Sequence, residues 1–201
     1  MKIYNTLTEP AIVDFYCDEL ESIGDDLINI FKYKPYRQDY KDLIVDDKRL
    51  TMPYDVKEYN LLKKVIKPSL IQLSKTLVRL DGIRYPIKNH PDLQLFNDKK
   101  LGLKVTEDRE GFSMPWHIDN RFIIVSGIIN VQDNETQTLF SKNHYFWDTG
   151  GKNITDDEYN IIHRGQCKKF WGTAWLNTEI TEHCVPYVEK DRRIIGFNLH
   201  F

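Results

Sequence analysis

Helical periodicity confined to the first eighty or so residues, followed by short β-branched and aromatic segments, predicts an α+β fold that is mainly β. Three observations carry that expectation. Apolar positions before residue 82 recur at a helical spacing; about eight strand-like segments follow within little more than a hundred residues; Gly, Asn, Asp and Pro punctuate them. So many short strands in so little chain suggest a sandwich or jelly roll.

The elements follow in order. "TEPAIVDFYCDELESI" (8–23) is expected to be a helix, with Thr8 as N-cap, Pro10 in the first turn and Gly24 as the stop. A second helical stretch begins near Asp55, where Asp55 and Glu58 have capping-box spacing, and Pro68 is expected to break or kink it before "SLIQLSKTLVRL" resumes the period. The charged and aromatic stretch between the two helices reads as loop with one strand. The expected strands are "DLQLF", "LGLKVTE", "FSMPWHI", "FIIVSGIINV", "QTLFS", "HYFWD", "KKFWGTAWLN", "HCVPYVE" and "RRIIGFNLHF". Segment 141–166 is long for a hairpin connection and carries Tyr145, Phe146, Trp147, Gly150, Gly151 and Tyr159, so it reads as a lid or as padding at the barrel rim. No repeat or linker composition divides the chain. One domain, 1–201, is expected, with helical support over 1–82 and a β core over 83–201.

Composition narrows the function. With 201 residues, 41% of them hydrophobic and 29% charged, the chain is long enough to bury a core without disulfides. A net charge of −2 argues against broad binding to nucleic-acid phosphates. Cys17, Cys167 and Cys184 are odd in number and form no CxxC pair, which argues against a disulfide scaffold and a zinc ribbon and for the reducing cytoplasm. The N-terminus lacks a signal-peptide core, and the longest apolar run (122–131) is half a membrane span, so no membrane partner is expected.

"MPWHIDNRF" (114–122) puts an imidazole and a carboxylate two positions apart in strand-like sequence. Positions i and i+2 of a strand share a face, so His117 and Asp119 are placed to hold one ion together. HxD alone is common by chance, and a lone histidine is usually structural. His183, some sixty residues on in the strand-like "HCVPYV", offers a third ligand. Two imidazoles and one carboxylate on one face are the donor set of mononuclear non-haem Fe(II) oxygenases, which leaves coordination positions open. Arg192 and Arg193 then lead into the last strand. A guanidinium buried inside a barrel needs an anion, and the distal carboxylate of a dicarboxylate cosubstrate would be a bidentate partner.

This order of motifs resembles the Fe(II)- and 2-oxoglutarate-dependent oxygenases, particularly the compact prolyl-hydroxylase-like members, over roughly residues 92–201. "LGLKVTEDREGFSMPWHID" is similar to the family's approach to HxD, "GIINVQDNETQTLF" to its next strand and turn, and "KKFWGTAWLNTEITEHCV" to the segment before the distal histidine. The resemblance implies a double-stranded β-helix (jelly roll, cupin-like) with N-terminal helices packed on the major sheet. It makes His117, Asp119 and His183 the catalytic iron ligands, and Arg192 or Arg193 the partner of the 2-oxoglutarate 5-carboxylate. Small and polar positions at Gly196 and Asn198 favour Arg192; ungapped spacing in some relatives favours Arg193. It further implies Fe(II), 2-oxoglutarate and O2 as cofactor and cosubstrates, hydroxylation of a C–H bond, and release of succinate and CO2. A carboxylate at Asp119 speaks against halogenation, since family halogenases have a small residue there. Two features depart from the family pattern: "LKVTEDRE" has no counterpart of a tyrosine that contacts the cosubstrate, and Gln137 replaces a glycine.

Trp116, Arg121 and Asn198 are candidates for contact with a small-molecule or peptide substrate; core packing for Trp116 and a surface ion pair for Arg121 are equally good readings. A peptidyl-prolyl or other amino-acid side chain is what the resemblance implies for that substrate. Two alternatives stand beside a hydroxylase: a jelly-roll binding or structural protein with a vestigial metal site, and a cupin-like metalloenzyme that does not use 2-oxoglutarate.

Overall fold

The structure, a computed structural model, describes residues 1–8, 10–23, 37–38, 48–51, 57–80, 101–120, 122–141, 161–178 and 180–200. Lys2–Thr8 (β1) and Ala11–Tyr16 (β2) form an antiparallel hairpin that pairs from Thr8 with Ala11 to Lys2 with Tyr16. This corrects the helix expected over 8–23. Ile12, Val13, Phe15 and Tyr16 favour strand as readily as they form an apolar stripe, and a short apolar run does not discriminate by periodicity. Burial decides: Ala11 through Phe15 are all buried, on both faces of the strand, as in the interior of a sheet. Only Asp18–Ile23 is helical, as a short 3-10 turn that buries Leu20.

Two short strands follow, Arg37–Gln38 (β3) and Arg49–Thr51 (β4), then one long helix, Lys57–Leu80 (α1). Its apolar stripe of Tyr59, Leu62, Ile66, Leu70, Leu73 and Leu77 is buried throughout. Pro68 lies inside this helix and does not end it, contrary to the expected break. One missing N–H is outweighed by several leucine and isoleucine side chains buried on either side of it.

The remaining strands are Leu101–Asp108 (β5), Met114–His117 (β6), Ile123–Asn130 (β7), Leu139–Ser141 (β8), Ile161–Arg164 (β9), Trp171–Leu176 (β10), Glu182–Val185 (β11) and Arg192–His200 (β12). The expected strands "DLQLF" and "HYFWD" lie outside the described residues, as does 142–160 of the expected lid. The end of that segment is not lid: β9 pairs with β8.

Among the described residues the strands form two antiparallel sheets, ordered β1-β2-β10-β7-β12-β5-β4-β3 and β6-β11-β8-β9. The protein is mainly β with few helices. Register gives the large sheet two unlike faces. Val13, Phe15, Ala174, Leu176, Val125, Ile129, Ile195, Phe197, Leu199, Leu101, Leu103 and Val105 share one core with the stripe of α1. Glycines let aromatic rings lie flat on this face. A Cβ on Gly127 would come within 2.2 Å of Phe197, and one on Gly172 within 2.4 Å of Phe15.

The opposite face is mixed, with Ile12, Trp175 and Ile194 buried on it among polar residues. Asp14, Thr173, Ser126, Asn130, Arg192, Thr106 and Asp108 alternate with the helix-side apolar residues, and all are buried. This face turns toward the small sheet: Trp175 of β10 lies 5.1 Å from Phe140 of β8 and 4.7 Å from His183 of β11, ring centre to ring centre. A buried carboxylate also ties the two sheets. Asp14 accepts hydrogen bonds from Thr173 Oγ1 (2.7 Å), Gln166 Nε2 (2.9 Å) and His163 Nε2 (3.1 Å). Burial raises the Asp14 carboxyl, but these three donors outweigh it and hold the group below its ordinary value. No helix among the described residues is long and apolar enough to cross a membrane.

Candidate metal centre

β6 and β11 are antiparallel neighbours, and their register sets His117 directly opposite His183. The two rings therefore meet across the strands with centres 4.3 Å apart. Asp119 lies two residues further on, past the end of β6, so its position does not come from strand alternation. It comes from Asn177, whose Nδ2 donates to the carbonyls of Asp119 (3.2 Å), Asn120 (3.1 Å) and Ile123 (3.0 Å). That amide clamps the turn so that the carboxylate points back at the imidazoles. One ligand atom from each of His117, Asp119 and His183 lies within 4.8 Å of the other two.

The hydrogen bonds of the two imidazoles orient their lone pairs. His117 Nδ1 lies 2.8 Å from the Pro115 carbonyl and His183 Nδ1 lies 3.2 Å from the Thr181 carbonyl. A carbonyl only accepts, so each Nδ1 carries the proton and each Nε2 presents a lone pair, the arrangement seen at metal-ligating histidines. Burial, then the neighbouring His183, push His117 down to about 4 against the opposing pull of Asp119, so its imidazole is neutral at pH 7. His183 Nε2 lies 3.8 Å from Asp119 Oδ2, too far for a hydrogen bond, and that oxygen is buried without a partner among the described residues. Two nitrogen lone pairs and an orphaned carboxylate oxygen converge with no proton to share. A divalent cation satisfies all three, and two imidazoles with one carboxylate suit Fe(II). The residues present fit the metal.

Strand parity separates the two late arginines. Arg192 shares the inner face with Asn198, and its guanidinium is buried, with Nε donating to Asp108 Oδ2 (2.7 Å) and Nη1 to the Thr136 carbonyl (3.4 Å). Arg193 turns to the other face, 38% exposed, and pairs with Glu107 at 2.9 Å. Asn198 stands beside Ser126, which in turn stands beside Trp175 in the next strand; the Ser126 hydroxyl and the Trp175 indole N–H are buried without partners. By alternation Trp116 faces away from His117, and Arg121 lies outside the described residues.

Three contributors escaped the sequence reading: Asn177, Asp108 and Arg49. Asp108 is fully buried and is gripped by Arg49, Nε to Oδ1 at 2.5 Å and Nη2 to Oδ2 at 2.9 Å, as well as by Arg192. Burial raises this carboxyl, and the charges of Arg49 and Arg192 overcome that and hold it low. Nothing in "LKVTEDRE" announces the cluster, because only pairing of β5 with β4 and β12 brings the three residues together.

With the geometry established, the likeness to solved structures is informative. No sequence-family profile matches the chain, and no curated protein does. By structure it is similar to a prolyl-4-hydroxylase from Pseudomonas putida (TM-score 0.54, 8% identity, covering 94% of this chain and 91% of that one). It is also similar to a prolyl hydroxylase from Trichoplax adhaerens, solved with a peptide fragment of the hypoxia inducible factor oxygen degradation domain (TM-score 0.60, 10% identity, 94% and 83% covered). A third is a 2OG-Fe(II) oxygenase family oxidoreductase from Burkholderia pseudomallei (TM-score 0.51, 10% identity, 94% and 84% covered). The chain has the jelly-roll fold of the 2-oxoglutarate- and Fe(II)-dependent oxygenases, and a His-Asp-His cluster fit for a metal.

Proposed function

We propose that this protein is an Fe(II)- and 2-oxoglutarate-dependent dioxygenase that hydroxylates a C–H bond, with His117, Asp119 and His183 as metal ligands and Arg192 facing the cosubstrate. The observation that carries the reading is the orphaned Asp119 oxygen set against two Nε2 lone pairs, on a fold shared with such enzymes. Fe(II) bound there would couple oxidative decarboxylation of 2-oxoglutarate, to succinate and CO2, to hydroxylation of a substrate by O2.

The chain's own part is positioning. The Pro115 and Thr181 carbonyls hold the imidazole protons away from the metal, and the Asn177 amide fixes the turn that carries the carboxylate. Phe140 and Trp175 wall His183 with apolar surface, which excludes water from one side of the ligand. An amino-acid side chain, free or in a peptide, is the substrate class we favour, because one similar structure holds a peptide. Three free cysteines fit a reducing compartment, for which the cytoplasm is our choice.

Anaerobic addition of Fe(II) and 2-oxoglutarate is expected to give a weak visible charge-transfer band, and O2 is then expected to yield succinate. Iron binding without 2-oxoglutarate binding would favour a cupin-like metalloenzyme of another kind. Binding of neither would leave a jelly-roll binding protein with a vestigial site.

A further inference from the structure

The carboxylate receptor implied by a late arginine is already occupied from within. Arg192 is 1% exposed, and Asp108, itself 0% exposed, neutralises it at 2.7 Å. A guanidinium and a carboxylate in contact present no net charge, so Arg192 alone is a poor receptor for a dicarboxylate. A second guanidinium changes the balance. Arg49 forks onto both oxygens of the same carboxylate, leaving the Arg49–Asp108–Arg192 cluster, among the described residues, with one net positive charge on the inner side of the large sheet.

Arg49 also touches a residue that packs against the ends of the two strands of the candidate metal site. Its guanidinium lies 4.1 Å above the centre of the Phe112 ring. Phe112 packs with Val185 at the end of β11 and with Met114 at the start of β6, the two strands that carry His183 and His117. Arg49 Nη1 makes no hydrogen bond among the described residues, and 15% of the side chain is exposed whereas Arg192 is closed off. Buried ion clusters with an excess of one charge are costly without a counterion. A carboxylate that completes the cluster as a second anion removes that cost and meets a fork of matching shape.

Building on the dioxygenase reading, we propose that Arg49, from the short strand β4 and outside every recognised motif, is a binding residue for the 5-carboxylate of 2-oxoglutarate. It supplies the net charge, while Arg192, held by Asp108, supports it.

The test compares two 2-oxo acids on Fe(II)-loaded protein under anaerobic conditions, reading the visible charge-transfer band: 2-oxoglutarate, and 2-oxopentanoate, which ends in a methyl instead of the distal carboxylate. Arg49→Gln is expected to weaken 2-oxoglutarate binding at least tenfold and to leave 2-oxopentanoate within twofold of the unaltered protein. Arg49→Lys, which keeps the charge and loses the fork, is expected to lose about three- to tenfold for 2-oxoglutarate only; it carries the test if Arg49→Gln does not fold. If the unaltered protein binds 2-oxoglutarate and neither variant changes the ratio of the two affinities, the Arg49 assignment is overturned and the dioxygenase reading stands. An equal loss for both acids assigns Arg49 a structural role and overturns the proposal too. If the unaltered protein binds iron and no 2-oxoglutarate, the dioxygenase reading falls and takes this assignment with it.

Discussion

The two faces of the large sheet are built from the same strands, alternating residue by residue, yet they do opposite work. The helix-side face is Ile195, Phe197, Leu199, Leu103, Val105, Val125 and their neighbours, packed on α1. The inner face offers Arg192, Asp108, Ser126, Asn130, Thr173 and Asp14 at the alternate positions. One face holds the fold together by removing apolar area from water. The other keeps polar groups buried, where they are tolerated only if paired, and among the described residues leaves some of them unpaired beside the candidate metal ligands. The helix-side positions carry the larger apolar core, and the alternate positions of the same strands carry the paired buried polar groups.

Substitutions on the two faces should therefore fail in different ways. The largest effects on stability are expected from Phe197→Ala, by emptying the helix-side core, and from Asp108→Ala, by leaving the buried Arg192 and the partly buried Arg49 without their shared counterion, each about 3–5 kcal/mol in chemical denaturation. Full activity in a destabilised Asp108→Ala protein would break the division, because the inner face would then serve only stability. Asp119→Ala is expected to do the reverse. Bound iron and succinate formation should fall by at least about 100-fold, while the melting temperature holds or rises, since the carboxylate oxygen removed has no partner.

Asn177→Ala sharpens the contrast by acting through Asp119 alone. Iron affinity should drop by about tenfold or more, measured by competition with a chelator, as expected of a residue that orients a ligand. On the helix side, Gly127→Ala should cost about 1–3 kcal/mol in denaturation, because the new Cβ meets the Phe197 ring.

The smallest effect is on the acid limb. Asp14 and Asp108 have carboxyls lowered in the folded protein, so they add stability that is present above the ordinary carboxylate range near pH 4 and lost as pH falls through their folded values. Asp14→Asn should flatten the fall in melting temperature below about pH 4 relative to the unaltered protein. An unchanged acid limb would mean that the three donors around Asp14 do not distinguish its charged form.

Some of this was legible before any coordinates. His117, Asp119 and His183 were recognisable as a donor set because metal chemistry restricts which side chains appear and in what order. The strands from β5 to β8 and from β10 to β12 were legible wherever β-branched and aromatic residues alternate between turn residues, and α1 by its long stripe. The N-terminal hairpin was not. "AIVDFY" satisfies both a helical stripe and a doubly buried strand, and only the presence of β10 beside it selects the strand. Likewise β9 hid within 141–166 because its pairing with β8 is not written in its own residues.

The candidate donor set and the alternation of the strands are local properties, set by side-chain chemistry and the two-residue repeat, and the amino-acid order alone determined them. Which late arginine turns inward, what neutralises it, how Asp119 is aimed and which residue Arg49 pairs with are set by strand pairing and tertiary contact. Residues far apart in the chain become neighbours only through register, and a shift of one residue would send Arg193, not Arg192, to the inner face. The tertiary structure alone decided those.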